Sequence, residues 1–258
     1  MIPDRTETSV LLDEALAGVA VAFQGMTAHE QESNCECHWG SAEELALLKT
    51  PDVPLDDDLS RRTYWTMDWH YPGLLLRRIL PQVTQHLVDG RIVATDGLDS
   101  LANFFAVSPW HEWPSEQQAA LRRFLNVWWV HVLVEPDAKV PAHAALPFLA
   151  EATTRLTPWL ADWAEALVDE PARRQLVEAM DEWMYDLGGD ALPWSSWHDI
   201  DAWAPALQLW VIRHAPAVLR EYDASAELLE DISRLSRPDS ERYDKPLSRW
   251  RAGRPWPE

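Results

Sequence analysis

The fold class is decided by residues 115–134, SEQQAALRRFLNVWWVHVLV. Apolar side chains recur there every three or four residues, which is the spacing of one face of an α-helix. These are Leu121, Phe124, Leu125, Trp128, Trp129 and Val132, and the opposite face carries Gln117, Arg122 and Arg123. The pattern predicts an amphipathic helix over 116–134 with one face in the core and the other in solvent.

The rest of the chain has a helical composition. Its 258 residues contain 33 Leu and 32 Ala but 6 Ile and 9 Gly, and Leu and Ala are strong helix formers. We therefore predict an all-α protein, a multi-helix bundle or irregular helical array of about ten helices. The predicted helices cover residues 8–24, 42–49, 55–69, 73–89, 97–106, 116–134, 142–168, 171–187, 198–220 and 225–236, with Pro147, Pro158, Pro205 and Pro216 expected to break or kink some of them.

Two capping boxes fix predicted helix starts. Ser41 is followed at the third position by Glu44, and Ser115 is followed in the same way by Gln118. In such a box the hydroxyl and the return side chain each satisfy an unpaired backbone N–H group at the helix N-terminus. Helices should therefore begin near residues 42 and 116.

The domain organisation is predicted from one linker and one tail. Residues 135–141, EPDAKVP, are rich in proline and charge between two apolar helical stretches. They divide an N-terminal helical half, 1–135, from a C-terminal half, 141–235, which we expect to belong to the same domain. Residues 236–258 are rich in Pro and Arg and are expected to form an irregular tail.

Charge and hydropathy limit the location and the partners. The formal net charge is −20, which argues against a nucleic-acid surface because such surfaces neutralise phosphates with Lys and Arg. A protein partner with a basic surface is favoured instead. The N-terminus is acidic where a secretory signal needs basic residues, and no apolar run approaches the roughly 18 residues of a membrane span. We expect a soluble, cytoplasmic protein with no membrane partner.

The chemistry is expected at residues 35–38, Cys-Glu-Cys-His, which we call the CxCH segment. It contains both cysteines of the chain, Cys35 and Cys37, and the imidazole of His38. Thiolate and imidazole are the preferred ligands of Zn²⁺, and a capped helix follows at once. The spacing differs from the usual C-x2-C, so we expect two or three local ligands and a distant one, with His29, His70 and Asp68 as candidates. The predicted zinc ligands are Cys35, Cys37, His38 and His70.

Other interpretations of the CxCH segment stay open. The two cysteines are compatible with a redox pair, and also with small buried side chains below a helix start. Covalent haem attachment requires C-x-x-C-H, which this segment lacks.

Several short motifs together resemble an uncharacterised bacterial protein family. They are Cys35-x-Cys37, Trp39-Gly40-Ser41 with Glu43-Glu44, Leu80-Pro81, and Trp113-Pro114-Ser115, within residues 33–130. Members of that family often carry a third cysteine where this chain has His38. The resemblance implies a shared fold and a shared metal site, and it implies no reaction.

The 16 tryptophans are expected to lie mostly in the core, because aromatic residues at helical spacing usually pack there. The exception is residues 65–70, WTMDWH, where Trp65 and Trp69 alternate with Asp68 and His70. This stretch is either a corner between helices or part of a Trp-lined pocket.

The functional expectation has three forms. The first is a zinc-binding interaction module organised by the CxCH segment. The second is a metalloenzyme whose open metal position faces a Trp-lined pocket near Asp68 and His70. The third is an inhibitor or immunity-type protein whose acidic face covers a basic partner. The sequence has no G-x-S-x-G, Walker A, G-x-G-x-x-G or H-E-x-x-H motif, so the common hydrolase, nucleotide-binding and zincin functions lose their support.

Overall fold

A computed structural model describes residues 5–35, 39–92, 96–198 and 200–237. Within these ranges it contains eleven α-helices, one short 3-10 helix and no β-strand, which confirms the predicted all-α class. The helices are α1 (Arg5–Ala22), α2 (Ala42–Leu48), α3 (Asp57–Trp65), α4 (Pro72–Asp89), α5 (Asp96–Ala106), α6 (Ser115–Val134), α7 (Ala142–Thr153), α8 (Thr157–Ala166), α9 (Glu170–Gly188), α10 (Trp203–Glu221) and α11 (Ala226–Arg234), and the 3-10 helix is Trp110–Glu112. No helix of the described ranges is long and apolar enough to cross a membrane.

The chain divides into two compact units, Met1–Ala172 and Arg173–Glu258. In the first unit α1 packs against α4 and α6, α5 packs against α3 and α7, and α8 packs against α6 and α7. In the second unit α10 packs against α11. Most of the predicted tail, residues 238–258, lies outside the described residues.

Residues 135–141 lie inside the first unit, although the sequence suggested a division there. The reason is the apolar face of α6, which packs across the linker onto the helices that follow it. Trp128 meets the ring of Phe148 in α7 edge-on at 5.8 Å. Trp129 meets Trp163 in α8 at 5.6 Å and donates its indole N–H to the carbonyl oxygen of Trp159.

The α6 face is otherwise close to its prediction. All six apolar residues of the stripe are buried, and Arg122 and Arg123 are exposed. Gln117 is the exception, since it is buried rather than solvated and donates to the carbonyl oxygen of Ala22 at the end of α1. One polar side chain on the core side was thus misassigned because its partner is distant in sequence.

Only one of the two capping boxes forms. Ser41 accepts from the N–H of Glu44 at 3.2 Å, and the Glu44 carboxylate accepts from the N–H of Ser41 at 2.7 Å. At α6 the N-cap is Pro114 and no side chain caps it. Gln118 donates instead to the carbonyl oxygen of Trp113, so the second box is wrong although its helix begins within one residue of the prediction.

The predicted helix 142–168 is two helices in the structure. Thr154 ends α7 in the left-handed conformation with φ of 54°, and α8 starts at Thr157 with Pro158 in its first turn. Proline suits that place because its missing N–H needs no partner there. Pro205 likewise stands in the first turn of α10, whereas Pro147 and Pro216 lie inside α7 and α10.

Most tryptophans are core residues, as predicted. Among the fourteen tryptophans of the described ranges, eleven are buried: Trp39, Trp69, Trp110, Trp113, Trp128, Trp129, Trp159, Trp163, Trp183, Trp203 and Trp210. Several of their rings pack edge-on with other aromatic rings, for example Trp129 with Trp163. The aromatic side chains thus stabilise the packing between helices.

Two glycine substitutions should change stability in opposite directions. Gly18 lies within α1 with open space where a Cβ would stand, so Gly18→Ala should raise the free energy of unfolding by about 0.5–1 kcal/mol. Gly90 caps α4 with φ of 68°, and a Cβ would come within 2.5 Å of the Lys139 Cβ, so Gly90→Ala should lower it by about 1 kcal/mol or more. Urea unfolding of both variants beside the parent measures the signs, and two changes of the same sign would contradict this assignment.

Candidate functional site

Cys35 is the one cysteine within the described residues. Its side chain is exposed and disulfide-bonded. The sequence contains one other cysteine, Cys37, and both Cys37 and His38 lie outside the described residues. The structure therefore locates one end of the CxCH segment and the residues packed around it.

Residues 66–71 form the loop between α3 and α4, and this loop lies beside the chain that leads to Cys35. Trp69 is buried there, donates its indole N–H to the carbonyl oxygen of Thr63, and meets the ring of Trp39 edge-on at 5.0 Å. Trp65 is 43% exposed instead. The stretch 65–70 is thus a corner between helices, and its two tryptophans face different surroundings.

Glu32 holds loop 66–71 against residues 29–35. Its side chain is fully buried, and its carboxylate accepts from the N–H of Tyr71 at 2.8 Å and from the N–H of His70 at 3.2 Å. The N–H of Ser33 donates to the same carboxylate at 3.2 Å. A buried carboxylate is stable when N–H donors surround it, so this side chain positions both loops.

His70 lies on the outer side of the same carboxylate. Its Nδ1 atom is 3.4 Å from Glu32 Oε1, while 65% of the imidazole is exposed. A carboxylate next to Nδ1 favours a proton on that nitrogen and leaves the lone pair of Nε2 outward. His70 therefore combines an exposed imidazole with a buried carboxylate beside its Nδ1 atom.

Asp68 is the second predicted residue beside the CxCH segment. Its carboxylate accepts from the side-chain amide of Asn34 at 3.3 Å, and the carbonyl of that amide accepts from the N–H of Cys35 at 2.7 Å. The Asn34 side chain thus links Cys35 to loop 66–71. Asp68 is thus linked to Cys35 through one side chain, and its role as a ligand stays a prediction.

The imidazole of His29, the third candidate ligand, makes a hydrogen bond and a ring contact within its own surroundings. Its Nδ1 accepts from the N–H of Gln31 at 3.2 Å, so the neutral ring carries its proton on Nε2. The ring also stacks on Tyr71, with centroids 3.8 Å apart and planes at 24°. Neither nitrogen offers a free lone pair, which favours His70 over His29.

Arg62 anchors the other end of the CxCH segment. It donates to the carbonyl oxygen of Trp39, and its guanidinium lies 5.7 Å from the centroid of the Trp39 ring. Arg62 also forms ion pairs with the carboxylates of Glu44 at 2.5 Å and Asp58 at 2.7 Å.

These ion pairs affect the acidity of both carboxyl groups. The hydrogen bond from Arg62 lowers the pKa of Glu44, and those from Arg61 and then Arg62 lower the pKa of Asp58. Carboxyl groups with a lowered pKa stabilise the fold at neutral pH and lose this contribution as the pH falls through the folded pKa.

Trp39 and Gly40 complete this anchor. The N–H of Trp39 donates to the carbonyl oxygen of Cys35 at 3.0 Å, which joins the two described residues on either side of 36–38. The side chains of Arg62 and Glu44 pack directly against Gly40. A Cβ at this position would lie 2.5 Å from Arg62 Nη1. The indole N–H of Trp39 is buried and has no hydrogen-bond partner in the described part of the chain, which costs about 1–3 kcal/mol.

A metal site is not visible in the described ranges: no group of three or more His, Cys, Asp or Glu side chains there is arranged to hold an ion. Two of the four predicted ligands, Cys37 and His38, fall outside those ranges, so the predicted set stays a prediction. Sequence reasoning missed Glu32, Asn34 and Arg62. Polar residues in a polar stretch carry no signal of burial, and only tertiary contacts reveal their roles.

Nothing matches the chain among models of protein families, curated proteins or solved structures. The resemblance of residues 33–130 to an uncharacterised family stays an expectation.

Replacing Glu32 should release loop 66–71. Glu32→Gln turns an acceptor-only carboxylate into an amide whose NH₂ faces N–H donors, so we expect the free energy of unfolding to fall by about 1–3 kcal/mol. The backbone amides of His70 and Tyr71 should exchange hydrogen faster. Hydrogen exchange followed by mass spectrometry or NMR measures this effect.

Glu30→Gln is the matched control, because Glu30 is two residues away and exposed. It should leave both amides unchanged. Equal exchange rates in Glu32→Gln and Glu30→Gln would contradict the positioning role of Glu32.

Proposed function

We propose that the protein is a cytoplasmic zinc-binding interaction module in which reduced Cys35 and Cys37, with His38 and His70, hold one ion. The observation that carries the proposal is the contact between His70 and the buried carboxylate of Glu32. A histidine that ligates a metal commonly gives its other ring N–H to a carboxylate, which fixes the tautomer and the ring orientation. Glu32 occupies that place, and Nε2 of His70 is left for the ion.

The donor set fits zinc. Two thiolates and two imidazoles match the Cys₂His₂ composition of structural zinc sites, at about 2.3 Å for sulfur and about 2.0 Å for nitrogen. The hydrogen bonds on both sides of the CxCH segment support this assignment, since Asn34 and Asp68 hold Cys35 while Arg62 holds Trp39. Cytoplasmic thiols are kept reduced, and only the reduced cysteines can ligate.

The partner chemistry follows from the net charge of −20, which favours a protein with a basic surface. A zinc ion bound by the CxCH segment and His70 would order the exposed residues next to it. Met67 is 51% exposed and Tyr71 is 37% exposed on loop 66–71. Zinc binding would thus preorganise a surface that such a partner contacts.

Zinc titration of the reduced protein tests the proposal. We expect about one zinc per chain, detected by isothermal titration or by competition with a chromogenic chelator. Cys35→Ser and His70→Ala should each weaken binding by more than about tenfold, because each removes a ligand, and Glu32→Gln should weaken it by about 10–100-fold.

His111→Ala is the matched control, since His111 is 68% exposed beside Glu112, outside the site. It should bind zinc like the parent. No binding by the reduced parent, or an equal loss in His70→Ala and His111→Ala, would overturn the proposal. Three protein ligands with a bound water, rather than four, would favour the metalloenzyme alternative.

A second candidate function rests on α9 in the second unit. Its exposed face carries Glu178, Asp181 and Glu182, and Tyr185 beside them is 48% exposed. Carboxylates around an exposed aromatic ring suit a basic protein surface and fit the inhibitor or immunity-type interpretation. Charge reversal at Glu178 and Glu182 should abolish salt-sensitive co-purification with a basic partner, whereas Cys35→Ser should not affect it.

A further inference from the structure

Arg77 in α4 has a half-buried side chain whose guanidinium meets no acceptor in the described ranges. Its central carbon lies 4.8 Å from the centroid of the Trp113 ring, so the group stacks on that ring. Its Nε atom is buried without a hydrogen-bond partner, and the side chain forms no ion pair with a described residue. Burial lowers the pKa of Arg77. A guanidinium held away from water is normally compensated by an acceptor, which this one lacks.

Trp113 carries a second donor without an acceptor. The residue is 4% exposed, and Phe23 packs edge-on against its ring at 5.6 Å. Its indole N–H donates to none of the residues that the structure describes. The Nε1 atom lies 3.7 Å from the point where a Cβ on Gly73 would stand, and Pro109 Cδ lies 3.8 Å from the same point. Because Gly73 has no side chain, a small recess stays open beside this N–H.

The first turn of α4 supplies a third donor. Pro72 has no N–H, and no side chain caps the helix at Tyr71. The N–H groups of Leu74 and Leu75 donate to the carbonyl oxygen of Tyr71. The N–H of Gly73, in contrast, has no acceptor in the described part of the chain. Unpaired N–H groups at the start of a helix attract anions, because the helix dipole is positive there.

Three other arginines of the described chain stack on tryptophan, and each has a polar partner: Arg61 and Arg62 pair with Asp58, and Arg122 donates to Gln118. Beneath Arg122, the indole N–H of Trp110 donates to the carbonyl oxygen of Ala152 at 2.7 Å. Arg77 with Trp113 is the one pair of the described ranges in which the guanidinium and the indole both lack an acceptor. The other guanidinium groups obtain acceptors from the chain, so this pair is open to an acceptor from outside it.

We infer that Arg77, Trp113 and the N–H of Gly73 form a binding site for the carboxylate group of a small organic acid. Gly73 and Arg77 stand one turn apart on the same face of α4, and the Trp113 ring reaches both of them. All three groups are donors, and the two-pronged guanidinium matches the two oxygens of a carboxylate. Solvent reaches the site, since Gly73 and Arg77 are half-buried and Pro109 is exposed.

The ligand should carry a single negative charge. The Glu32 carboxylate already accepts from the N–H of Tyr71, two residues before Gly73, and the whole chain has a net charge of −20. Repulsion from these charges grows with the charge of the ligand, so it disfavours a phosphate dianion or an acidic peptide more than a monocarboxylate. Carboxylate binding here requires neither zinc nor the CxCH segment.

Titration of the full-length protein with sodium acetate, followed by proton–nitrogen NMR of the indole N–H groups, tests this site. The Trp113 resonance is assigned by its absence in Trp113→Phe. We expect this resonance to shift in a saturable manner, because its N–H gains an acceptor. Sodium chloride at equal ionic strength should leave it in place.

Three variants locate the site. Arg77→Gln removes the charge and the two-pronged donor, so it should weaken acetate binding by at least about tenfold. Gly73→Ala places a methyl group in the recess at ordinary contact distances, so the fold should be retained while acetate binding weakens to a similar extent. Arg122→Gln is the matched control, because Arg122 stacks on Trp110 and has its own partner. It should bind acetate like the parent.

No saturable shift with acetate, an equal shift with chloride, or an equal loss in Arg77→Gln and Arg122→Gln would overturn the site. Tighter binding of inorganic phosphate or of tetraglutamate than of acetate would overturn the assignment to a small monocarboxylic acid. Circular dichroism and urea unfolding establish that each variant is folded. Should Arg77→Gln be unfolded, Gly73→Ala decides, and an unchanged acetate affinity in folded Gly73→Ala would contradict the proposal.

Discussion

The arrangement around Cys35 depends on one buried carboxylate. Glu32 is removed from water, and the burial is compensated because backbone N–H groups of Ser33, His70 and Tyr71 donate to it. Two of these donors belong to the loop between α3 and α4, so the carboxylate joins two segments that are about forty residues apart. Glu32 thereby positions His70 and Tyr71 beside the chain that leads to Cys35, and Asn34 adds a second link through Asp68.

A second anchor acts on the far side of the CxCH segment. Arg62 bonds to the carbonyl oxygen of Trp39 and to the acid that completes the capping box of α2. The positive charge of Arg62 is compensated by the carboxylates of Glu44 and Asp58. The indole of Trp39 packs against Trp69, which belongs to the loop that Glu32 holds. Cys35 and Trp39, on either side of residues 36–38, are therefore held by contacts that lead to α2, α3 and the loop after α3.

The sequence was sufficient where the signal is local. Helix positions follow from the apolar spacing of α6 and from Ser41 with Glu44, whereas donor chemistry named His29, His70 and Asp68 as candidate ligands without choosing among them. The sequence was insufficient where the position of a residue depends on contacts with residues that are distant along the chain. Residues 135–141 show a polar linker composition, which carries no signal that Trp128 and Trp129 pack onto the helices that follow it. Glu32 looked like any solvated acid, since burial of a carboxylate depends on donors that arrive from a distant loop.

The redox state of Cys35 and the chemistry of its neighbours together define the central claim, that reduction creates a zinc site from the CxCH segment and His70. The most direct measurement is the zinc-edge X-ray absorption spectrum of the reduced, zinc-loaded protein. We predict two sulfur ligands at about 2.3 Å and two nitrogen ligands at about 2.0 Å, with one nitrogen lost in His70→Ala. A spectrum without sulfur ligands, or one that is unchanged in His70→Ala, would contradict the claim.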